Sequence, residues 1–159
     1  MNKAKAKGSE ARQTLATHKR ALQRYEILER MEAGIVLVGS EVKSLRAKQV
    51  VLDAAYAAFE RHELVLHRMR IAPYAQAAAF PHDPDRSRKL LMKRRELERL
   101  EGKVGEKGLT LIPTQVYLKG GRAKVEVCLA RAKALHDKRE ELKRTQDLKE
   151  ARAVIAKYR

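Results

Sequence analysis

Three clusters of cations carry the clearest chemistry in this chain. Lys19, Arg20 and Arg24 precede an apolar run, Lys43, Arg46 and Lys48 fall in EVKSLRAK, and Arg86, Arg88, Lys89, Lys93, Arg94 and Arg95 follow a proline-rich stretch. With 36 lysines and arginines against 20 acids in 159 residues, the formal net charge is +16. Such an excess implies a polyanionic partner. Cations bind phosphates without choosing among nucleic acids, so selectivity needs an acceptor or an apolar group placed among them. Glu32, just ahead of the second cluster, is a carboxylate able to accept from exposed base edges, or else a cross-strand ion-pair partner.

Reaction chemistry is not patterned into the chain. Gly34 and Gly39 are spaced like the ends of a phosphate loop, but four apolar residues lie between them and the required lysine is missing. His62 and His67 are five apart in a β-rich context, which puts them on opposite faces of a strand, whereas a zinc-binding helix needs a spacing of four. The single Cys128 can form neither an internal disulfide nor a cysteine-based metal site; it reads as a small packed hydrophobe in a reducing compartment. No nucleophile signature or glycine-rich cofactor loop is present. The expectation is a binding protein and not an enzyme, with no cofactor and no metal. At 4% aromatic residues and no tryptophan, recognition should rest on shape and phosphates more than on base stacking.

The elements that must hold these groups follow from periodicity. Residues 1–16 alternate Lys and Ala without an apolar period and read as a mobile basic arm. From Tyr25 to Val38 the apolar residues Tyr25, Ile27, Met31, Ala33, Ile35 and Leu37 share one parity, a strand, in which Gly34 permits a bend or bulge. Ser40 is placed to cap a short helix whose Val42 and Leu45 face inward while Lys43, Arg46 and Lys48 stay exposed. VLDAAYAAFE and ELVLHRMRI read as two strands joined near Arg61 and His62. Pro73, Pro81 and Pro84 mark an extended surface loop, followed by a helix from about Lys93 to Lys103 that ends at Gly105 and Gly108. LTLIPTQVYLK and RAKVEVCLA form a hairpin about Gly120-Gly121. Beyond Ala130 the chain lacks glycine and proline, and Leu148, Ala151, Ile155 and Tyr158 make a narrow stripe on a marginal helix.

This order predicts a mainly β fold: a small Greek-key barrel of the oligonucleotide-binding type, with about six antiparallel strands, two or three helices and a helical or disordered C-terminal tail. Its parts would be the arm at 1–16, the barrel at 17–130 and a basic tail at 131–159. No stretch approaches the ~20 apolar residues of a membrane span, and the basic amino terminus lacks the apolar core of a secretory signal. A cytoplasmic protein without a membrane partner, monomeric when free, is expected.

EAGIVLVGSEVKSLRA, DPDRSRKLL, EKGLTLIP, GRAKVEV and HDKRE occur in order between Tyr25 and Glu140, and together they resemble the SsrA-binding protein (SmpB) family. The resemblance implies that the barrel holds the tRNA-like domain of transfer-messenger RNA. It also implies delivery of that RNA to bacterial ribosomes stalled on messages without a usable stop codon, where trans-translation begins. The tail would enter the decoding centre and the empty message channel. The glutamate of the EAG motif and the middle leucine of the RKLLL motif, which support RNA binding in the family, carry over to Glu32 and Leu91. Lys19, Arg20, Lys43, Arg46, Arg86, Arg88 and Lys89 are the expected phosphate contacts. The tail motif GKKxHDKR falls on Ala132 to Arg139, so Lys133, His136, Asp137, Lys138 and Arg139 carry over as ribosome contacts.

Departures from the family pattern are local. His18 replaces the usual asparagine, Gln23-Arg24 a His-Asp pair, Ala54-Ala55 an Asp-Ser pair, and Arg70 a histidine. His62 falls near the usual turn glycine, and Ala132 and Ala134 replace Gly and Lys. Each lost polar contact is expected to remove ~1 kcal/mol of recognition where its partner stays buried. The alternative reading is a general structured-RNA or ribosome-binding protein without transfer-messenger RNA specificity.

Overall fold

The computed structural model describes residues 11–76, 81–106, 108–133 and 135–158. Among these residues there are nine strands: β1 (Arg12–Thr17), β2 (Tyr25–Ile35), β3 (Val50–Val51), β4 (Tyr56–Glu60), β5 (Glu63–His67), β6 (Arg70–Ile71), β7 (Arg88–Leu91), β8 (Leu109–Lys119) and β9 (Arg122–Ala132). Four helices accompany them: α1 (Ala21–Arg24), α2 (Gly39–Arg46), α3 (Arg94–Val104) and α4 (Leu135–Lys157).

Gly120 and Gly121, at φ 57° and 73°, supply the two positive dihedrals of a tight turn, and the eleven-residue strands β8 and β9 pair along their whole length from it. That hairpin is the frame on which the sheet closes. Six strands form a barrel-like antiparallel ring in the order β8-β4-β5-β7-β2-β9, with β9 returning to β8. A separate short ladder joins β3 to β6. Alternation sends Leu64, Leu66, Leu90, Leu111, Val125 and Val127 into the ring, where all are buried. Each such side chain contributes about 1.5–3 kcal/mol relative to exposure. On the outside, α3 leans on β2 through Glu29, which pairs with Arg99 and, at 3.0 Å, Lys103; those bonds hold its carboxyl down at about 2.

Several expectations are corrected. The arm does not extend to residue 16: Arg12–Thr17 is a strand paired with β8 from Arg12↔Lys119 to Thr17↔Gln115, and Leu15 is buried. A strand added to an existing edge needs little apolar alternation, because the main chain supplies the pairing. Residues 1–10 lie outside the described residues. In β2 the bulge falls at Leu28, between Ile27 and Glu29, and not at Gly34, where β7 instead joins through Gly34↔Leu91. Ser40 does not cap α2; its hydroxyl hydrogen-bonds His82 Nδ1 at 2.9 Å, and Glu41 reaches back to accept from the Val38 N–H at 3.1 Å. The two strands expected over 50–71 are broken into four, and β7 goes unmarked in the sequence because RKLL runs directly into the amphipathic helix.

The tail is helical throughout Leu135–Lys157, with Leu142, Leu148, Val154 and Ile155 exposed. Among the described residues no helix is long and apolar enough to cross a membrane.

Candidate nucleic-acid interface

Strand alternation builds the site. Ala33 and Ile35 point into the ring, so Glu32 and Gly34 lie on its outer face. The ladders place Lys124 of β9 beside Gly34 on one side and Leu91 of β7 beside it on the other. Lys124, Gly34 and Leu91 therefore form one row across three strands, with Glu32 a step along β2. An open groove of about 740 Å³ runs over this row, walled by Met92 and Lys93 before α3 and by Arg99 on it. A Cβ on Gly34 would sit 3.5 Å from the Leu91 Cβ and 3.8 Å from Lys124 Nζ, so a larger side chain there would fill the floor. Leu91 is 52% exposed, an apolar side chain standing open at the groove.

Glu32 is a held carboxylate. Its Oε2 accepts from the Tyr117 hydroxyl and lies 3.4 Å from Lys119 Nζ. The Tyr117 bond lowers its pKa below the ordinary value; partial burial opposes this, and Lys119 and Lys124 reinforce it. Burial first, and then Glu32, push the Tyr117 phenol upward in return. Glu32 is thus an ion-pair partner with one oxygen engaged, while the residue remains exposed to the groove.

The expected phosphate contacts divide. Lys43 and Arg46 stand on the exposed side of α2, with Lys43 Nζ 5.4 Å from the Tyr74 ring, and Lys19 and Arg20 are exposed in the turn before α1. Lys89 faces outward and pairs with Glu63 at 2.8 Å. Arg86 is partly exposed and bonds Glu41. Arg88 does not belong with them. Its side chain has no exposed surface; it is ion-paired with the equally buried Glu41 and donates to the carbonyls of Met69 and, at 3.3 Å, Pro84. Alternation along β7 is the reason: Arg88 and Leu90 point in, Lys89 and Leu91 out. For Glu41, burial favours the neutral acid, but Arg86, the Val38 N–H and Arg88 outweigh it and leave its pKa lowered.

Lys133 also differs from expectation. Its side chain is 13% exposed: the N–H donates to Arg24 O at 3.0 Å, Nζ donates to Leu22 O at 3.1 Å, and Nζ pairs with Glu141. It ties the start of α4 to α1. His136, Asp137 and Lys138 lie in the first turns of α4, and Arg139 is exposed. His18 is buried, its ring 3.1 Å from Pro113 O. Reading the residues alone overlooked Tyr117, Lys124 and Arg12, whose guanidinium carbon lies 3.5 Å from the Tyr117 ring centroid. The two-residue turn at Gly120-Gly121 contained half the signal, because it sets Tyr117 opposite Lys124.

The model of the SmpB protein family matches residues 15–157, from within β1 to the last turn of α4. The chain belongs to the SmpB family. It is 48% identical over 137 residues to the SsrA-binding protein of Gloeobacter violaceus, covering 86% of this chain and 90% of the relative. The SsrA-binding protein of Persephonella marina is 49% identical over 145 residues, covering 91% and 93%. A solved chain described as "tmRNA-SmpB: a journey to the center of the bacterial ribosome" superposes with a TM-score of 0.60 at 46% identity, covering 80% of this chain and 87% of that one. The SmpB match spans the groove and the tail alike.

Proposed function

We propose that this protein binds the tRNA-like domain of transfer-messenger RNA and delivers it to stalled bacterial ribosomes in the cytoplasm, by binding alone and without covalent chemistry. One observation carries the reading: Glu32 and Leu91, 59 positions apart, meet across Gly34 in a single cation-lined groove on a member of the SmpB family. Lys19, Arg20, Lys43, Arg46, Arg86 and Lys89 would orient the RNA through its phosphates, while Glu32 accepts from a base or 2′-hydroxyl donor and Leu91 wedges against it. The tail residues His136, Asp137, Lys138 and Arg139 would act on the ribosome. The solved SmpB neighbour, described with tmRNA and the ribosome, supports both partners.

The test is a competition between the tRNA-like domain and bulk tRNA at ~0.15 M and ~0.5 M salt, where phosphate attraction is largely screened. The native chain is expected to keep its preference at the higher salt, and Glu32→Ala and Leu91→Ala to lose it. Equal affinities that collapse together with salt would overturn the reading and leave a general binder of structured RNA.

A further inference from the structure

We propose that Tyr117 is the positioning residue of Glu32: its hydroxyl fixes one carboxylate oxygen so that the other is aimed at an RNA donor in the groove. The proposal rests on the functional reading above.

Tyr117 is 1% exposed but does not belong to the core inside the ring. It lies on the outer face of β8, in the row Tyr117–Lys124–Gly34–Leu91 that the ladders define. Its cover is Arg12, whose guanidinium sits over the ring and is itself anchored to Gln115 Oε1 at 2.9 Å. Strand β1 thus closes the site from behind. The Tyr117 hydroxyl and Lys119 Nζ converge on the same atom, Glu32 Oε2. Glu126, directly opposite Glu32 on β9, does not compete for the phenol, because Thr114 Oγ1 at 2.6 Å and Arg30 at 3.3 Å hold its carboxylate.

A carboxylate pinned at one oxygen is a directional acceptor. It takes an amino or 2′-hydroxyl donor and repels a phosphate, and in a chain of net charge +16 that repulsion supplies the discrimination the cations lack. Without the phenol, Lys119 and Lys124 can draw Glu32 into plain ion pairs. The sequence signal is weak, since Tyr117 and Glu32 are 85 positions apart.

Tyr117→Phe removes only the hydroxyl and leaves the ring under Arg12. Three readouts are expected for the full chain with the tRNA-like domain. Affinity falls about tenfold, in line with loss of a charge-assisted hydrogen bond; preference over bulk tRNA falls with it; and the salt slope is unchanged because no cation is lost. On acidification, binding is lost at a higher pH than in the native chain, since Tyr117 holds the Glu32 carboxyl down. The other charged groups around Glu32 stay in place: Lys119 on β8, Lys124 and Glu126 on β9, and Glu29, Arg30, Lys93, Glu96 and Arg99 along the groove.

Glu32→Gln and the double variant separate the outcomes. Loss in both single variants with no further loss in the double supports positioning. Native binding by Tyr117→Phe beside weakened Glu32→Gln overturns the role of Tyr117 alone, as does full additivity in the double. Native binding by both single variants overturns the RNA role of Glu32 itself.

Discussion

Arg61 and His62 turn the β4–β5 hairpin with φ of 48° and 66°, the conformation for which glycine is normally used. Neither side chain is buried, and His62 offsets little of the strain through its exposed 2.9 Å contact with Glu101. His62→Gly is therefore expected to stabilise the protein by about 1 kcal/mol, seen as a higher denaturant midpoint at unchanged slope. An unchanged or lower midpoint would mean the Glu101 contact outweighs the strain. At this scale much of the site was legible: Glu32 and Leu91 lie in short local motifs, and His62 falls where the family usually has glycine. Tyr117, Lys124 and Arg12 were not, because their meaning depends on which strands lie side by side. The parity of a strand says that Glu32 faces out, but not that β9 and β8 bring a phenol to it.

Among the elements, α2 carries two of the proposed phosphate contacts, Lys43 and Arg46, and Glu41 holds it in place. This one carboxylate caps α2 through the Val38 N–H, takes Arg86 from the proline-rich loop and takes Arg88 from β7. The strand-to-helix junction at 32–47 is thus clamped from inside, while Lys43 and Arg46 are displayed outside. Arg88→Ala leaves a buried charge short of its partner and is expected to cost ~3–5 kcal/mol in equilibrium unfolding. Lys89→Ala, one residue along but outward, should cost less than about 1 kcal/mol and instead reduce the salt slope of RNA binding. The reverse pattern would return Arg88 to the RNA surface. Both strands that escaped the sequence reading, β1 and β7, are short pieces lying against longer neighbours. They form because β8, β5 and β2 already offer edges, so their residues need carry little pattern of their own. The long hairpin was legible for the opposite reason: two glycines and period-two alternation are entirely local.

Across the whole molecule, the ring and the tail obey different physics. The ring buries a continuous apolar core, whereas α4, about 35 Å long at 1.5 Å per residue, leaves Leu142, Leu148 and Ile155 exposed and is joined to α1 through Lys133 and Glu141. Lys133 is the joint: its bonds to Leu22 O and Glu141 set the direction in which the helix leaves the ring. A helix so poorly packed draws little stability from the rest of the chain, and its charged and apolar faces remain available for contacts elsewhere. RNA capture and ribosome action should accordingly separate. Reversing charge with Lys138→Glu and Arg139→Glu is expected to leave affinity for the tRNA-like domain within about threefold, because both residues lie beyond the groove and alter only the long-range field. The same variant should abolish tagging of nascent chains on stalled ribosomes in a reconstituted assay, since on the proposed function the tail would lie along ribosomal RNA, which two new anions would repel. Equal loss of capture and tagging would mean that the tail belongs to the RNA-binding surface, and the division between ring and helix would fail.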